Sequence, residues 1–261
     1  MHSQQSSKEK TRTIIKEVLK PAALEDRLNP QPGCKLYLHL SDLRLALDHV
    51  ATDKPLRMLD YGCGGSPYKP LFPNAEYRRA DLPGNNGVDY LISPGAPLSA
   101  PDAEFDLILS TQVAEHVEEP TDYFADCWRL LRPGGSLVVA THGSFPDHGA
   151  PWDFQRWTPF GLKRAMTKAG FETTQMLQVT TGPRAVLQMW EICMERLPGR
   201  PPFGTLFRIL TYWVRRQRRQ FHEWADRAFP AHRVVVAEDL SEHRFYVELV
   251  AVATRCASGK P

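Results

Sequence analysis

Apolar residues recur along the chain in two rhythms. Residues 1–12 are polar and read as an unstructured lead-in. From 13 to 51 the pattern is helical, broken by the loop Asn29-Pro30-Gln31-Pro32-Gly33, and across Leu40–Val50 the apolar positions fall at helical spacing. Met58-Leu59-Asp60-Tyr61 predicts a short buried strand that runs into a glycine-rich loop. Glu76–Ala80, Asp89–Ile92, Phe105–Thr111 and Ser136–Thr141 read as further strands, and 171–180 and 244–254 complete the set. A helix is expected from about Pro120 to Leu131, closed by Arg132-Pro133-Gly134-Gly135. Another opens at Thr158-Pro159, with Thr as N-cap and Pro at the first helical position, and ends at Gly170. Strands alternating with helices predict a mainly parallel sheet with helices on both faces.

Residues 182–230 interrupt that alternation. Phe203, Leu206, Phe207, Leu210, Trp213, Val214, Phe221, Trp224 and Ala228 follow helical spacing, against Arg208, Arg215, Arg216, Arg218, Arg219 and Arg227. This is a basic amphipathic helix or helix pair inserted before the last strand. One reading is a lid packed on the domain with a solvated arginine face. The other is a contact for an acidic substrate or a membrane surface through residues 208–227. The chain divides into a helical N-terminal extension, 1–51, and a domain, 52–261, carrying the insertion at about 182–230.

Charge narrows the function classes. With 32 Lys+Arg against 30 Asp+Glu in 261 residues, the net charge of +2 gives no bulk attraction to nucleic acid, so no nucleic-acid partner is expected. No apolar run approaches the roughly 18 residues that span a bilayer, and the first thirteen residues lack the apolar stretch of a secretory leader. Cys34, Cys63, Cys127, Cys193 and Cys256 are scattered and contain no C-x-x-C pair. Reduced thiols in a cytoplasmic protein are the expectation. Nothing in the sequence fixes the oligomeric state.

The chemistry concentrates in Met58-Leu59-Asp60-Tyr61-Gly62-Cys63-Gly64-Gly65-Ser66. A strand ending in small residues lets a ligand approach the backbone, and in a doubly wound sheet ligands sit at the carboxyl ends of strands. Gly62 and Gly64 fit the dinucleotide fingerprint G-x-G-x-x-G, but Pro67 stands where its third glycine belongs, which argues against a nicotinamide enzyme. Asp81 follows about 20 residues on, at the end of the second strand, where an acid can accept hydrogen bonds from both hydroxyls of a ribose.

These segments resemble the class I S-adenosylmethionine-dependent methyltransferases of the small "type 11" kind. The resemblance covers about 56–180. Met58–Gly64 is similar to the family's first motif and Asp81 to its ribose-binding acid; Leu98–Ile108 resembles L-P-F-P-D-x-x-F-D-x-V, Thr111–Val117 resembles x-x-V-L-E-H-V, and Leu130–Gly135 resembles L-K-P-G-G. The resemblance implies a Rossmann-like, doubly wound, seven-stranded and mostly parallel sheet with an antiparallel last strand. It implies S-adenosyl-L-methionine as cofactor, held by Asp60, Tyr61, Gly62, Cys63 and Gly64 at the methionine end. Asp81 and Leu82 would take the ribose and adenine, Ala96 and Pro97 the adenine edge beside Gly95, and Gln112 and Val113 the region below the methyl group. The activity implied is methyl transfer to a small-molecule, sugar or lipid-linked acceptor, oxygen slightly favoured; the alternative is a non-catalytic binding or scaffold module.

A hydroxyl acceptor profits from a base. His116 and Asp153 are the candidates, with His142 and His148 nearby; His116 could instead orient the loop, and Asp153 could pair with Arg156. Trp152, Phe154 and Trp157 line an acceptor pocket or cover the sheet edge. Cys63 is read as small rather than nucleophilic. The ubiquinone-pathway O-methyltransferases resemble this region with a Glu-x-x-Glu-His group that can bind a divalent metal; Gln112 replaces the first Glu here, so no metal requirement is expected.

Overall fold

The computed structural model describes residues 21–196, 204–237 and 244–256. The polar lead-in at 1–12, the helical reading of 13–20 and Phe203 lie outside the described residues. Helices α1 (Pro21–Leu28) and α2 (Tyr37–Asp48) precede β1 (Leu56–Tyr61), β2 (Ala75–Asp81), β3 (Tyr90–Leu91) and β4 (Phe105–Thr111). Then follow α3 (Pro120–Leu130), β5 (Leu131–His142), α4 (Pro159–Lys168), β6 (Phe171–Thr181), α5 (Gly182–Arg196), α6 (Gly204–Ala228), β7 (Val234–Val236) and β8 (Tyr246–Arg255).

The strands form one sheet in the order β3-β2-β1-β4-β5-β8-β6-β7. The pairs from β3 to β5 are parallel, and β8 lies antiparallel between β5 and β6. The sheet thus has eight strands, not the seven expected. The eighth is β7, where Val234, Val235 and Val236 pair antiparallel with Val179, Gln178 and Leu177. These β-branched residues leave α6 through a turn at Pro230–His232 and extend the sheet edge. A second difference lies at Pro133-Gly134-Gly135, which the sequence suggested as a turn closing a helix. β5 already begins at Leu131, and its register to β4 jumps from Phe105↔Leu131 to Leu107↔Ser136, so the glycines sit in a bulge.

Central parallel strands are covered on both faces, which is why they read as continuous apolar runs. Met58, Leu107, Leu109, Val138, Ala140 and Val250 face α2, where Leu43, Ala46 and Leu47 are buried. Leu59, Ile108, Leu137, Val139, Leu249 and Ala251 face α3 and α4, with Phe124, Leu130, Leu162 and Met166. Thr158 caps α4 as expected, its Oγ accepting from Gly161 N at 3.1 Å.

The insertion is a helix pair. Asp42 on α2 is fully buried and accepts from Arg184 of α5 at 2.6 and 3.0 Å, Arg233 at 2.8 Å and Thr180 of β6 at 2.9 Å. Arg184 is itself fully buried and also meets Asp226 of α6 at 2.8 Å. Arg218 does not belong to a solvated face: it is buried and pairs with Glu191 at 2.6 Å and with Glu195. His222 accepts from Gly33 N at 3.0 Å and faces Glu191 at 3.1 Å. Arg215, Arg216 and Arg219 are exposed, as are Tyr212, Trp213 and Trp224. Among the described residues no helix is long and apolar enough to cross a membrane.

Candidate active site

The site lies at the carboxyl ends of β1, β2, β4 and β5, where strand order reverses and a doubly wound sheet leaves a crevice. β1 stops at Tyr61, and the chain turns at Gly62 in the left-handed region, φ +72°. Gly62 N and Cys63 N both donate to Ala80 O of β2, at 2.9 and 3.0 Å. A Cβ on Gly62 would stand 2.4 Å from Val113 Cγ2, so the loop and the segment after β4 approach at backbone distance.

Asp81 anchors this loop. Its Oδ2 accepts from Gly64 N at 2.9 Å and from Asn85 Nδ2 at 2.7 Å, and its Oδ1 from Leu82 N at 2.7 Å. An ionised carboxylate offers about four lone-pair sites. One strong acceptor position is therefore left for a ribose hydroxyl, where the sequence suggested room for two. Asn85 is buried and also donates to Gly64 O at 2.6 Å. Arg79 ties the same loops together, donating to Ser66 Oγ at 3.0 Å and Gly87 O at 2.8 Å. No motif marks either residue in the sequence; the Gly/Asn-rich run at 83–88 is the available signal.

Asp60 is buried beneath the loop, where Tyr77 OH donates to it at 2.6 Å and burial pushes its pKa up to about 6. Tyr61 turns its side chain into the core, its ring edge-on to Tyr123 at 5.4 Å, so only its backbone belongs to the loop. The Cys63 thiol is pushed up to about 12 by burial and stays protonated, which suits a small filler and not a nucleophile. Leu82 is half-buried, and Ala96 and Pro97 are exposed on the rim.

Gln112 is a non-glycine residue at φ +56°, an uncommon conformation that marks functional turns. Its N–H donates to Ala140 O at 2.7 Å. Its carboxamide is engaged by the N-terminal helices: Oε1 accepts from Arg27 of α1 at 2.5 Å, and Nε2 stands 2.9 Å from His39 Nε2 of α2. Leu24 of α1 seats on Gly65, where a Cβ would lie 2.4 Å from Leu24 Cδ2. The extension therefore covers the glycine loop directly.

Beyond β4 and β5 the acidic and imidazole groups converge. Glu115 is fully buried, accepts from Thr141 Oγ1 at 2.8 Å and faces His142 Nε2 at 3.4 Å; burial raises its pKa. The rings of His39, His142, His148 and His116 follow one another at 5.4, 5.1 and 4.8 Å, from core to surface. His116 Nδ1 lies 2.5 Å from the Trp152 carbonyl. A carbonyl only accepts, so Nδ1 carries a proton and the neutral ring is the tautomer with its lone pair on Nε2.

Asp153 takes the pairing role. Arg156 grips both its oxygens at 2.7 and 2.8 Å, and His148 N donates to it at 2.9 Å. The guanidinium hydrogen bonds, with the backbone bond, hold its pKa down to about 2. A carboxylate so stabilised is a poor proton acceptor, so the contacts favour pairing with Arg156 over a role as base. Trp157 is buried in the core against Phe124 of α3 and donates to Ala114 O at 3.3 Å, whereas Trp152 and Phe154 remain partly open.

A family model described as "Methyltransferase domain" matches residues 59–139. The chain is similar to a ubiquinone biosynthesis O-methyltransferase of Cereibacter sphaeroides, 33% identical over 129 residues, covering 41% of this chain and 51% of that protein. The chain thus spans about half the length of the curated relatives it matches. Among solved structures, the [4+2]-cyclase SpnF superposes with a TM-score of 0.52 at 17% identity, over 89% of this chain and 86% of that one. A phosphoethanolamine N-methyltransferase 2 of Haemonchus contortus, in complex with S-adenosyl-L-methionine, superposes with a TM-score of 0.50 at 15% identity, over 89% and 55%. At such identities these structures speak for the fold alone. Residues 59–139 thus match a methyltransferase domain, and the sheet that carries them has the fold of these neighbours.

Proposed function

We propose that the protein transfers a methyl group from S-adenosylmethionine to an oxygen of a small-molecule acceptor. The observation that carries this is the glycine loop held against Asp81, with a left-handed Gln112 and a one-tautomer His116 on the adjoining strand ends. The named relatives, O-methyltransferases, support oxygen as the acceptor atom.

The residues fit the cofactor. The backbone of Gly62–Gly64 is bare of large side chains, Asp81 retains an acceptor site, and Val113 closes the loop from the far side. The cofactor supplies an electrophilic methyl group on a sulfonium, so the protein's contribution is orientation and control of the acceptor proton. Leu24 of α1 packs on Gly65 of the loop, and Arg27 holds the Gln112 carboxamide beside it. His116 Nε2 is the group free to take a hydroxyl proton, its ring fixed by the Trp152 carbonyl. Trp152 and Phe154, 6.4 Å apart, offer apolar surface to an acceptor. The exposed Tyr212, Trp213, Arg215 and Arg216 support a peripheral membrane contact for a lipid-linked acceptor, tested by salt-sensitive sedimentation with anionic liposomes.

Calorimetric titration with S-adenosylmethionine and S-adenosylhomocysteine tests the assignment. Wild type is expected to bind both. Asp81→Ala is expected to weaken binding at least about tenfold, the worth of one charge-assisted hydrogen bond. A folded wild type that binds neither would overturn the assignment and favour the scaffold reading.

A further inference from the structure

The pairing of β5 with β8 sets His142 directly opposite Glu248. Opposed residues of an antiparallel pair share one face. Here it is the face covered by α2, where Ala140 and Val250 continue the core. α2 brings His39 over this pair, its Nε2 3.0 Å from Glu248 Oε2. One donor atom from each of His39, His142 and Glu248 lies within 4.8 Å of the others, and all three side chains are buried.

Apolar residues would suit that position; instead there are donors without partners. Among the described residues, Glu248 Oε1, His39 Nδ1 and His142 Nδ1 make no hydrogen bond, whereas Glu248 Oε2 faces His39 Nε2, a nitrogen that also lies 2.9 Å from Gln112 Nε2. Glu115 adds a second buried carboxylate that repels Glu248, and Arg27 faces the pair as a single positive charge. Buried polar groups in a folded protein are satisfied by hydrogen bonds or by a coordinated ion.

We propose that His39, His142 and Glu248 form a binding site for one divalent ion of the zinc class. Two imidazole nitrogens and one carboxylate are a zinc-type donor set, which leaves a fourth position open. Magnesium, which demands oxygen ligands, is disfavoured. The site borders Gln112, 2.9 Å from His39, and Glu115, 3.4 Å from His142, but takes its ligands from other residues, and it does not depend on the methyl-transfer assignment.

The test uses the full chain, stripped with a chelator, loaded with zinc and dialysed against metal-free buffer. Elemental analysis is expected to find one zinc per chain in wild type and in His116→Ala. Retention is expected to be lost in His39→Gln and Glu248→Gln, and excess magnesium should not displace the ion. Because either variant can fail to fold, X-ray absorption on zinc-loaded wild type gives an independent reading, expected to show two imidazoles. A wild type that retains no zinc, variants that both retain it, loss in His116→Ala instead, or a spectrum without imidazole would each overturn the proposal.

Discussion

Gly62→Ala isolates the contact between the glycine loop and the segment after β4. The residue sits at φ +72°, where an L side chain costs roughly 1–2 kcal/mol. The added Cβ would stand 2.4 Å from Val113 Cγ2, well inside van der Waals contact, and such overpacking costs roughly 1–3 kcal/mol. Reduced freedom of the unfolded chain returns about 0.4–1 kcal/mol. The net loss is expected at about 2–4 kcal/mol. Val113→Ala removes the clashing methyl groups, so in that background Gly62→Ala is expected to cost only the backbone share, about 1 kcal/mol. The difference is a coupling energy readable from a double-mutant cycle of urea unfolding midpoints, interpreted with constant m-values. Calorimetry with S-adenosylhomocysteine on the same four proteins reports whether the loop still binds. Equal costs in both backgrounds would refute the argument, because Val113 would then not bear on the loop.

Three further outcomes follow from other contacts. Arg184→Met removes one of the two guanidiniums that hold the fully buried Asp42 and is expected to lose about 3 kcal/mol by urea unfolding, the low end for a broken buried pair because Arg233 still pairs, with partial recovery on adding Asp42→Asn. Asp153 has a depressed folded pKa of about 2, so its stabilising effect is present above the unfolded value near 4 and fades as pH falls through 2; the stability gap between wild type and Asp153→Asn should close over that range. His116→Ala is expected to lower kcat by about a hundredfold or more while S-adenosylhomocysteine affinity holds, and an unchanged kcat would remove His116 as the base.

Local patterns made the central frame legible. β1, β4 and the core of β5 announce themselves as apolar runs, and Asp60, Gly62, Gly64 and Asp81 as small or acidic residues at strand ends. Short range was the limit. Val234-Val235-Val236 is too brief to read as a strand until β6 lies beside it. Gly134 and Gly135 signal a turn, and only pairing with β4 makes them a bulge. Arg218 looks solvated along its own helix, and Glu191 and Glu195 on another helix bury it. His39 and Glu248 flank the site from opposite ends of the sequence, so no motif spacing joins them. Tyr61 belongs to the first motif, and motif position says where a backbone goes but not what a side chain finds there.

The Asp42 cluster also sets a timetable for synthesis. Its partners Arg184 and Arg233 follow it by 142 and 191 residues. At roughly 5–20 residues per second, about 10–40 s pass between translation of Asp42 and of Arg233. Throughout that interval the nascent α2 has a carboxylate to bury and no guanidinium to bury it with. α2 is therefore expected to stay loosely docked on the ribosome and to seal only when the insertion has emerged, so that the covering of the glycine loop comes late in the chain's assembly.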